Sequence, residues 1–409
     1  MTTEDSRSKL VVLGISGGIA AYRSCELARL LVKAGFRVQV IMTDYASRFV
    51  GPLTFQALTG RPVEVGHGGT LAQAGMDHID LGQEADLVLV APATANTLAK
   101  LACGMADNLL TTTVLASTCP VLVAPAMNTR MYANAITQEN LLKLLNLERF
   151  FQVGPDDGDL ACGEFGPGRM SQPEVILAHA QRLLSPQDLA GRRLLVSAGP
   201  TREAIDPVRF LSNRSSGRMG VAVAAAAWRR GADVTLVAGP GVVEPPEGLD
   251  CVRVTSAAEM AKEIDARALR QDAVIMAAAV SDFRPRRVGR SKHKKAEGAP
   301  DITFVRTADI LAGLGRKKSK RLLVGFAAET GDPVPAAIDK LKRKKIDLVV
   351  ANDVSQADAG FEVETNRVHL VDAKGVESLP LMKKIEVAER IVDRLVGLLP
   401  KRKSRRKRR

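Results

Sequence analysis

Three groups of residues in this sequence have types and spacings that could do chemistry. The first is a polar run, APATANTLAKLACGMADNLLTTT at residues 91–113, which crowds Thr94, Asn96, Thr97, Asp107 and Asn108 around helix starts. Helix capping accounts for Thr94 and Asp107, at about 1 kcal/mol each, but not for the whole set. The second is LACGEFGPGRM, residues 160–170, where Cys162 stands among Gly163, Gly166 and Gly168 in a stretch suited to neither helix nor strand. A free thiol is most often an inert packing residue, and a glycine-rich, charge-bearing loop is a poor place for one. The third group is basic. SNRSSGRMG follows a strand-like run, seven basic residues lie between Arg284 and Lys295, and Lys340 and Lys344 share a helix face in DKLKRKKID. A solvated surface is the bland account of each set. All three, however, fall near the ends of candidate parallel strands, which suits a polyanion. Aromatic residues make up 4% of the chain, leaving little to stack bases on, so a triphosphate fits better than single-stranded RNA.

These residues need elements to position them. LVVLGI reads as a buried strand, GISGGIA (residues 14–20) as a glycine turn, and IAAYRSCELARLLVKAG as an amphipathic helix closed by Gly35, before a second strand, RVQVIMT. That succession opens a doubly wound α/β domain. The turn is not GxGxxG; followed by a helix start it suits one phosphate, so a mononucleotide is as plausible as NAD. Strands are also expected at residues 85–92 and 119–126, and a helix at residues 173–184. PAMNTRM follows the strand CPVLVAPA, and Asn128 within it reads equally as an N-cap; His78, in MDHIDLGQEAD, reads equally as a structural histidine. The pattern restarts at RRLLVSAGPT and continues through DVTLVAG, CVRVT, AVIMAAAV, RLLVGFAA and IDLVVAND. The expected fold class is therefore α/β, two tandem doubly wound Rossmann-like domains. They span residues 9–184 and 192–399, with a flexible start at 1–8, a linker at 185–191 (SPQDLAG) and a disordered basic tail at 400–409.

Composition narrows the function classes. The chain has 409 residues, 46% of them hydrophobic, and no apolar run long enough to span a membrane. Five cysteines, odd in number and widely spaced, exclude a disulfide framework or a zinc cluster and fit a reducing compartment; the expected location is cytoplasmic. Cys25, Cys103, Cys119 and Cys251 read as packing residues. Of the net charge of +13, eight charges sit in KRKSRRKRR at residues 401–409, a block that repels itself and points to no dedicated nucleic acid.

Taken in order, SGGIAAY, DHIDL, APATANTLAKLACGMADNLLTTT, PAMNTRM and LACGEFGPGRM resemble the flavin-dependent decarboxylases of 4'-phosphopantothenoylcysteine over residues 9–184. The resemblance implies an FMN site at Ser16, Gly17, Gly18, Thr43, Thr94, Asn96, Thr97, Asp107 and Asn108. It further implies that His78 positions or deprotonates the substrate, that Asn128 holds its carboxylate with Met131 nearby, and that Cys162, on a flap folding over the substrate, delivers a proton. The chemistry needs such groups, because a carboxylate beside an amide has no electron sink of its own and the re-reduction half requires an acid. SNRSSGRMG, AAAVSDFRP, GFAAET, KxxxKxxD and ANDVS resemble phosphopantothenate–cysteine ligase over residues 191–399, so the whole chain is similar to the bifunctional bacterial enzymes of coenzyme A synthesis. This implies CTP activation of a carboxylate with Mg2+; no residue is assigned to the metal. Asn213 would stabilise the acyl-cytidylate step with Arg209 nearby. Ala277, Ala278, Asp282, Lys292, Ala308, Asp309, Ile310, Leu311, Phe326, Lys340 and Lys344 would bind nucleotide or phosphates. The flap reads KHKK where the family has KIKK, and TADIL stands for NPDIL. A homo-oligomer, a dodecamer, is also implied. The alternatives are a flavin-binding regulatory protein without catalysis, and an RNA-binding protein led by the tail.

Overall fold

The computed structural model describes residues 8–66, 77–159, 163–246, 248–293, 301–356, 358–360 and 363–400. Cys162 and the basic tail lie outside the described residues. The chain divides into two compact units, residues 1–185 and 186–409.

The first unit runs β1 (Leu10–Ile15), α1 (Arg23–Lys33), β2 (Arg37–Met42), α2 (Pro52–Thr59), β3 (Glu64–Val65), α3 (Asp77–Glu84), β4 (Leu87–Ala93) and α4 (Ala95–Cys103). It continues with α5 (Leu109–Ala116), β5 (Val121–Pro125), α6 (Thr129–Ala133), α7 (Ala135–Leu145), β6 (Phe150–Gln152), β7 (Asp156–Asp159), β8 (Phe165–Arg169) and α8 (Pro173–Leu184). Six strands form one parallel sheet in the order β3-β2-β1-β4-β5-β6. Val11, Leu13 and Ile15 of β1 pack into a core on one face with Leu27, Ala28 and Leu31 of α1, while Val12 joins Leu98, Leu110 and Val114 on the other. Both faces being covered, β1 carries an unbroken apolar run instead of an alternating one. The strand order reverses between β1 and β4, the place where such sheets bind ligands.

The second unit begins with β9 (Arg193–Ala198), the short pair β10 (Arg202–Ala204) and β11 (Phe210–Ser212), α9 (Arg218–Arg229), β12 (Asp233–Ala238), β13 (Asp250–Arg253), α10 (Ala257–Ala268) and β14 (Ala273–Met276). Then come the pair β15 (Phe283–Pro285) and β16 (Phe304–Arg306), α11 (Ile310–Arg316), β17 (Leu322–Glu329), α12 (Val334–Lys344) and β18 (Leu348–Asp353). The last elements are β19 (Thr365–Asn366), β20 (His369–Asp372), β21 (Gly375–Ser378), β22 (Met382–Lys383) and α13 (Lys384–Leu398). Its sheet has the order β13-β12-β9-β14-β17-β18-β20-β21. The first six strands are parallel; β20 and β21 add an antiparallel hairpin on the edge.

Two expectations need correction. Residues 186–191 do not hang as a linker: Leu189 is fully buried, and the Asp188 carboxylate pairs with the Arg230 guanidinium inside the second unit. Cys103 is exposed rather than packed, since it ends α4 at the surface; Cys25 and Cys119 do pack against the core, and burial raises the pKa of both thiols.

Candidate active site

A cavity of about 1080 Å³ opens at the switch point of the first sheet. That is the upper end of the size range for small-molecule sites, about 300–1,000 Å³. Much of the wall comes from the strands' carboxyl ends: Gly17 and Gly18 after β1, Thr43 to Tyr45 after β2, Pro92 and Thr94 to Thr97 at β4, and Met127, Asn128 and Met131 after β5. The loop between α4 and α5 adds Asp107 and Asn108, and the β7–β8 hairpin adds Asp159, Gly168 and Arg169.

Local structure explains how these side chains are aimed. Thr94 caps α4, its hydroxyl accepting from Thr97 N at 3.4 Å, and Asn108 caps α5, its Oδ1 accepting from Thr111 N at 3.1 Å. The cap expected from Asp107 is thus supplied by its neighbour. Asp107 instead takes Lys100 Nζ at 2.6 Å, and that hydrogen bond, ahead of smaller contributions, holds its carboxyl below the usual value. Asn128 caps α6 through Oδ1, which accepts from Arg130 N at 2.8 Å. Its Nδ2 donates to Glu164 Oε2 at 2.7 Å. The cap and the bond to a carboxylate therefore use opposite ends of one amide.

The β7–β8 hairpin is fitted tightly over this loop. Met127 N donates to Gly168 O at 2.9 Å, and a Cβ on Gly168 would stand 2.2 Å from Met127 O. A Cβ on Gly166 would meet Thr129 at 3.0 Å. Both glycines have positive φ, near +150°, so close apposition explains them without any appeal to motion.

Two of the expected residues stand away from the cavity wall. Ser16 is buried and ties β1 to β4, donating to Pro92 O at 2.7 Å and accepting from Thr94 N at 3.0 Å. Its hydroxyl is committed to shaping the loop instead of touching a ligand. His78 sits on α3, which packs against α5, and does not line the cavity.

In the second unit, candidate residues gather at the carboxyl ends of β9, β14 and β17. Asn213 Nδ2 donates to Val280 O at 3.0 Å, and Ala278 N donates to Ser197 Oγ at 3.2 Å, so the segment from Ala277 to Val280 is held at both sides. The Asp206 carboxylate accepts from Val208 N at 2.7 Å, Arg209 N at 2.8 Å and Arg209 Nη1 at 3.0 Å, fixing that guanidinium. Lys340 Nζ donates to Phe326 O at 2.5 Å, and Lys344 Nζ pairs with Asp309 at 2.9 Å. Burial, then the like charge of Lys344, lowers the Lys340 pKa, while the carboxylates of Glu329, Asp309 and Asp282 act the other way. Asp309 also caps α11. Lys292 is exposed, as is Ala308. Ile310 and Leu311 are core residues, 8% and 7% exposed, so their side chains cannot serve a nucleotide and only their backbone could. Among the described residues no three His, Cys, Asp or Glu side chains converge on a metal-sized site.

Glu164 and Arg130 are absent from the sequence-based set. Their only signal is a charge two positions after Cys162 and another two positions after Asn128.

Comparison with known proteins supplies the missing context. Residues 1–185 match the family model "Flavoprotein", and residues 189–398 match "DNA/pantothenate metabolism flavoprotein C-terminal domain". The chain is 46% identical over 387 residues to the coenzyme A biosynthesis bifunctional protein CoaBC of Vibrio cholerae, covering 94% of this chain and 97% of that one. The chain belongs to the CoaBC family. The CoaBC of Bacillus subtilis is 45% identical over 393 residues, 95% of this chain and 97% of its own. A crystal structure of the C-terminal domain of a CoaBC protein is 41% identical, covering 52% of this chain and 97% of that chain with a TM-score of 0.45. The CoaBC relatives and this chain thus align across both units, and the first unit is a flavoprotein domain.

Proposed function

We propose that the two units carry out consecutive reactions of coenzyme A synthesis. The second unit is a phosphopantothenate–cysteine ligase that uses CTP with Mg2+. The first is an FMN-dependent decarboxylase that converts the resulting 4'-phosphopantothenoylcysteine to 4'-phosphopantetheine. The observation that carries this reading is the cavity at the β1/β4 switch point, in a chain aligned with CoaBC proteins over 94% of its length.

The cavity's lining suits a flavin mononucleotide. Pro92, Met127, Met131 and Met170 offer apolar walls for a flat ring, and Thr43, Thr94, Asn96, Thr97 and Asn108 offer polar groups at helix starts, where a phosphate is favoured. When bound, the flavin supplies the two-electron sink that the substrate's own carboxylate lacks. The protein's residues bind and orient. Asn128 presents a fixed N–H donor to the departing carboxylate, Met131 closes the wall beside it, and Cys162 serves as the proton donor. His78 lies on α3, away from this wall, and takes no part in the steps at it.

In the ligase unit Asn213 donates toward the activated carboxylate, Lys340 and Lys344 meet phosphates, and the segments around Ala278 and Asp309 hold the nucleotide. The protein works in the cytoplasm as a homo-oligomer, a dodecamer. Among its described residues no helix is long and apolar enough to cross a membrane.

One assay tests the whole. Purified protein given 4'-phosphopantothenate, cysteine, CTP and Mg2+ should release CO2 and form phosphopantetheine, and the preparation should be yellow with or without residues 401–409. A colourless protein that forms neither product would end this reading; a yellow one that releases no CO2 would favour the non-catalytic flavin binder.

A further inference from the structure

Outside the wall residues already described, one contact in the first unit has a chemistry of its own. Among the described residues Glu164 presents its carboxylate to two donors: Oε2 accepts from Asn128 Nδ2 at 2.7 Å, and Oε1 lies 3.2 Å from Arg130 Nη2. We propose that Asn128 and Arg130 together form the receptor for the substrate's carboxylate, and that Glu164 is a built-in occupant which the substrate must displace. This rests on the reading that Asn128 holds that carboxylate.

Three observations favour an occupant over a structural tie. The Asn128 cap uses Oδ1 and the Arg130 backbone N–H, so α6 does not need Glu164. The hairpin is already fixed to this loop by the bond from Met127 N to Gly168 O and by the close seats of Gly166 and Gly168, so its docking does not need Glu164 either. Finally, Asn128 lines the cavity, and Glu164, immediately before β8, holds its Nδ2, so a ligand carboxylate arriving at Nδ2 would meet Glu164 there. Two carboxylates cannot share this donor pair without like-charge repulsion.

Arg130 follows as a second substrate-binding residue. Its long side chain is 86% exposed, so the guanidinium has room to reach whichever carboxylate is seated on Asn128. Glu164 raises the apparent dissociation constant by the reciprocal of the fraction of time the receptor stands open. For a charge-assisted pair in partial contact with water, that amounts to about 3–10-fold.

The test uses full-length, flavin-loaded protein and calorimetric binding of two probes. One is 4'-phosphopantothenoylserine, which keeps the carboxylate but has no thiol to oxidise; the other is 4'-phosphopantetheine, which has no carboxylate. Glu164→Gln, close to isosteric, should bind the serine probe about 3–10-fold more tightly while its affinity for phosphopantetheine moves less than twofold. In turnover the gain should fall on KM. Glu164→Ala should behave alike, with flavin content checking its fold. Arg130→Gln should weaken only the serine probe. If Glu164→Gln leaves the serine probe unchanged or weaker while Asn128→Asp, which keeps the cap, selectively loses it, the displaced-occupant proposal is wrong and the Asn128 reading stands. If Asn128→Asp weakens both probes equally, the reading of Asn128 itself fails.

Discussion

Replacing Gly168 by alanine should separate the β7–β8 hairpin from the Asn128 loop. The new Cβ would stand 2.2 Å from the backbone oxygen of Met127, and no rotamer can relieve a clash with backbone. Ordinary contact needs about 3.5 Å, so loop and hairpin must part by about 1 Å. The bond from Met127 N to Gly168 O, now 2.9 Å, would stretch past hydrogen-bonding reach. Losing it costs about 1 kcal/mol. Holding a side-chain-bearing residue at φ +150° adds about 1–3 kcal/mol. Together these disfavour the docked hairpin by about 2–4 kcal/mol, or about 30-fold to several hundredfold. Decarboxylation of supplied 4'-phosphopantothenoylcysteine, followed as CO2 release, should lose kcat/KM by that order, while ligation followed as pyrophosphate release should not change. Gly163→Ala is the internal comparison: its φ is +80° but no described residue lies within 4 Å of the added carbon, so its loss should be the smaller. A Gly168→Ala enzyme that decarboxylates within threefold of the parent would show that the docked hairpin plays no part in the reaction.

Three further outcomes are expected. Asn213→Asp turns the donor facing Val280 O into a charged acceptor and should lower ligation about 100-fold with decarboxylation retained; equal loss of both activities would show that the roles of the two units are misassigned. Asp353 accepts from Ser355 Oγ at 2.6 Å, Ser355 N at 2.9 Å and Gly331 N at 3.1 Å, which bring its pKa from 3.8 down to about 2. Its stabilisation is complete above pH 3.8 and lost as the pH falls toward 2. Asp353→Asn should therefore lower Tm at pH 7 and show no deficit near pH 2, and a deficit constant across that window would contradict the linkage. Lys340, lowered below 10.5 chiefly by burial, should lose its proton before an exposed lysine would, so the KM for CTP should climb on the alkaline side. Lys340→Arg, which stays charged, should flatten that limb; a profile the arginine leaves unchanged would place another group there.

Much of the fold could be read from pattern alone, because buried parallel strands write themselves as apolar runs. LVVLGI is β1 residue for residue, and the helix expected at residues 173–184 is α8. The β7–β8 hairpin could not be found this way. Its sequence, DDGD and FGPGR, has no apolar alternation, and it exists because its glycines let it lie against the backbone of the Asn128 loop. The β20–β21 hairpin escaped for a related reason: β20 buries three of its four residues but HLVD is too short to show a pattern, and the edge strand β21, GVES, is largely exposed. At the site, the cluster at residues 94–108 was legible as polar residues beside helix starts. For Ser16, type and position do not reveal that its hydroxyl bonds Pro92 O and Thr94 N. For Ile310 and Leu311 a motif match says which segment meets a ligand, but not whether side chain or backbone faces it; burial leaves only the backbone. Glu164 and Arg130 were invisible because their meeting depends on how the hairpin lies over the loop, which no linear spacing encodes.

The Arg192 guanidinium reaches the Pro400 carbonyl, anchoring the finish of α13 beside the amino-terminal end of β9. The residues proposed for ligation sit past the carboxyl end of that six-residue strand, about 20 Å off. A dye, a resin or a biosensor surface joined at Pro400 would start from the rear of the second sheet. An enzyme tethered there would keep the proposed nucleotide entrance facing the solution.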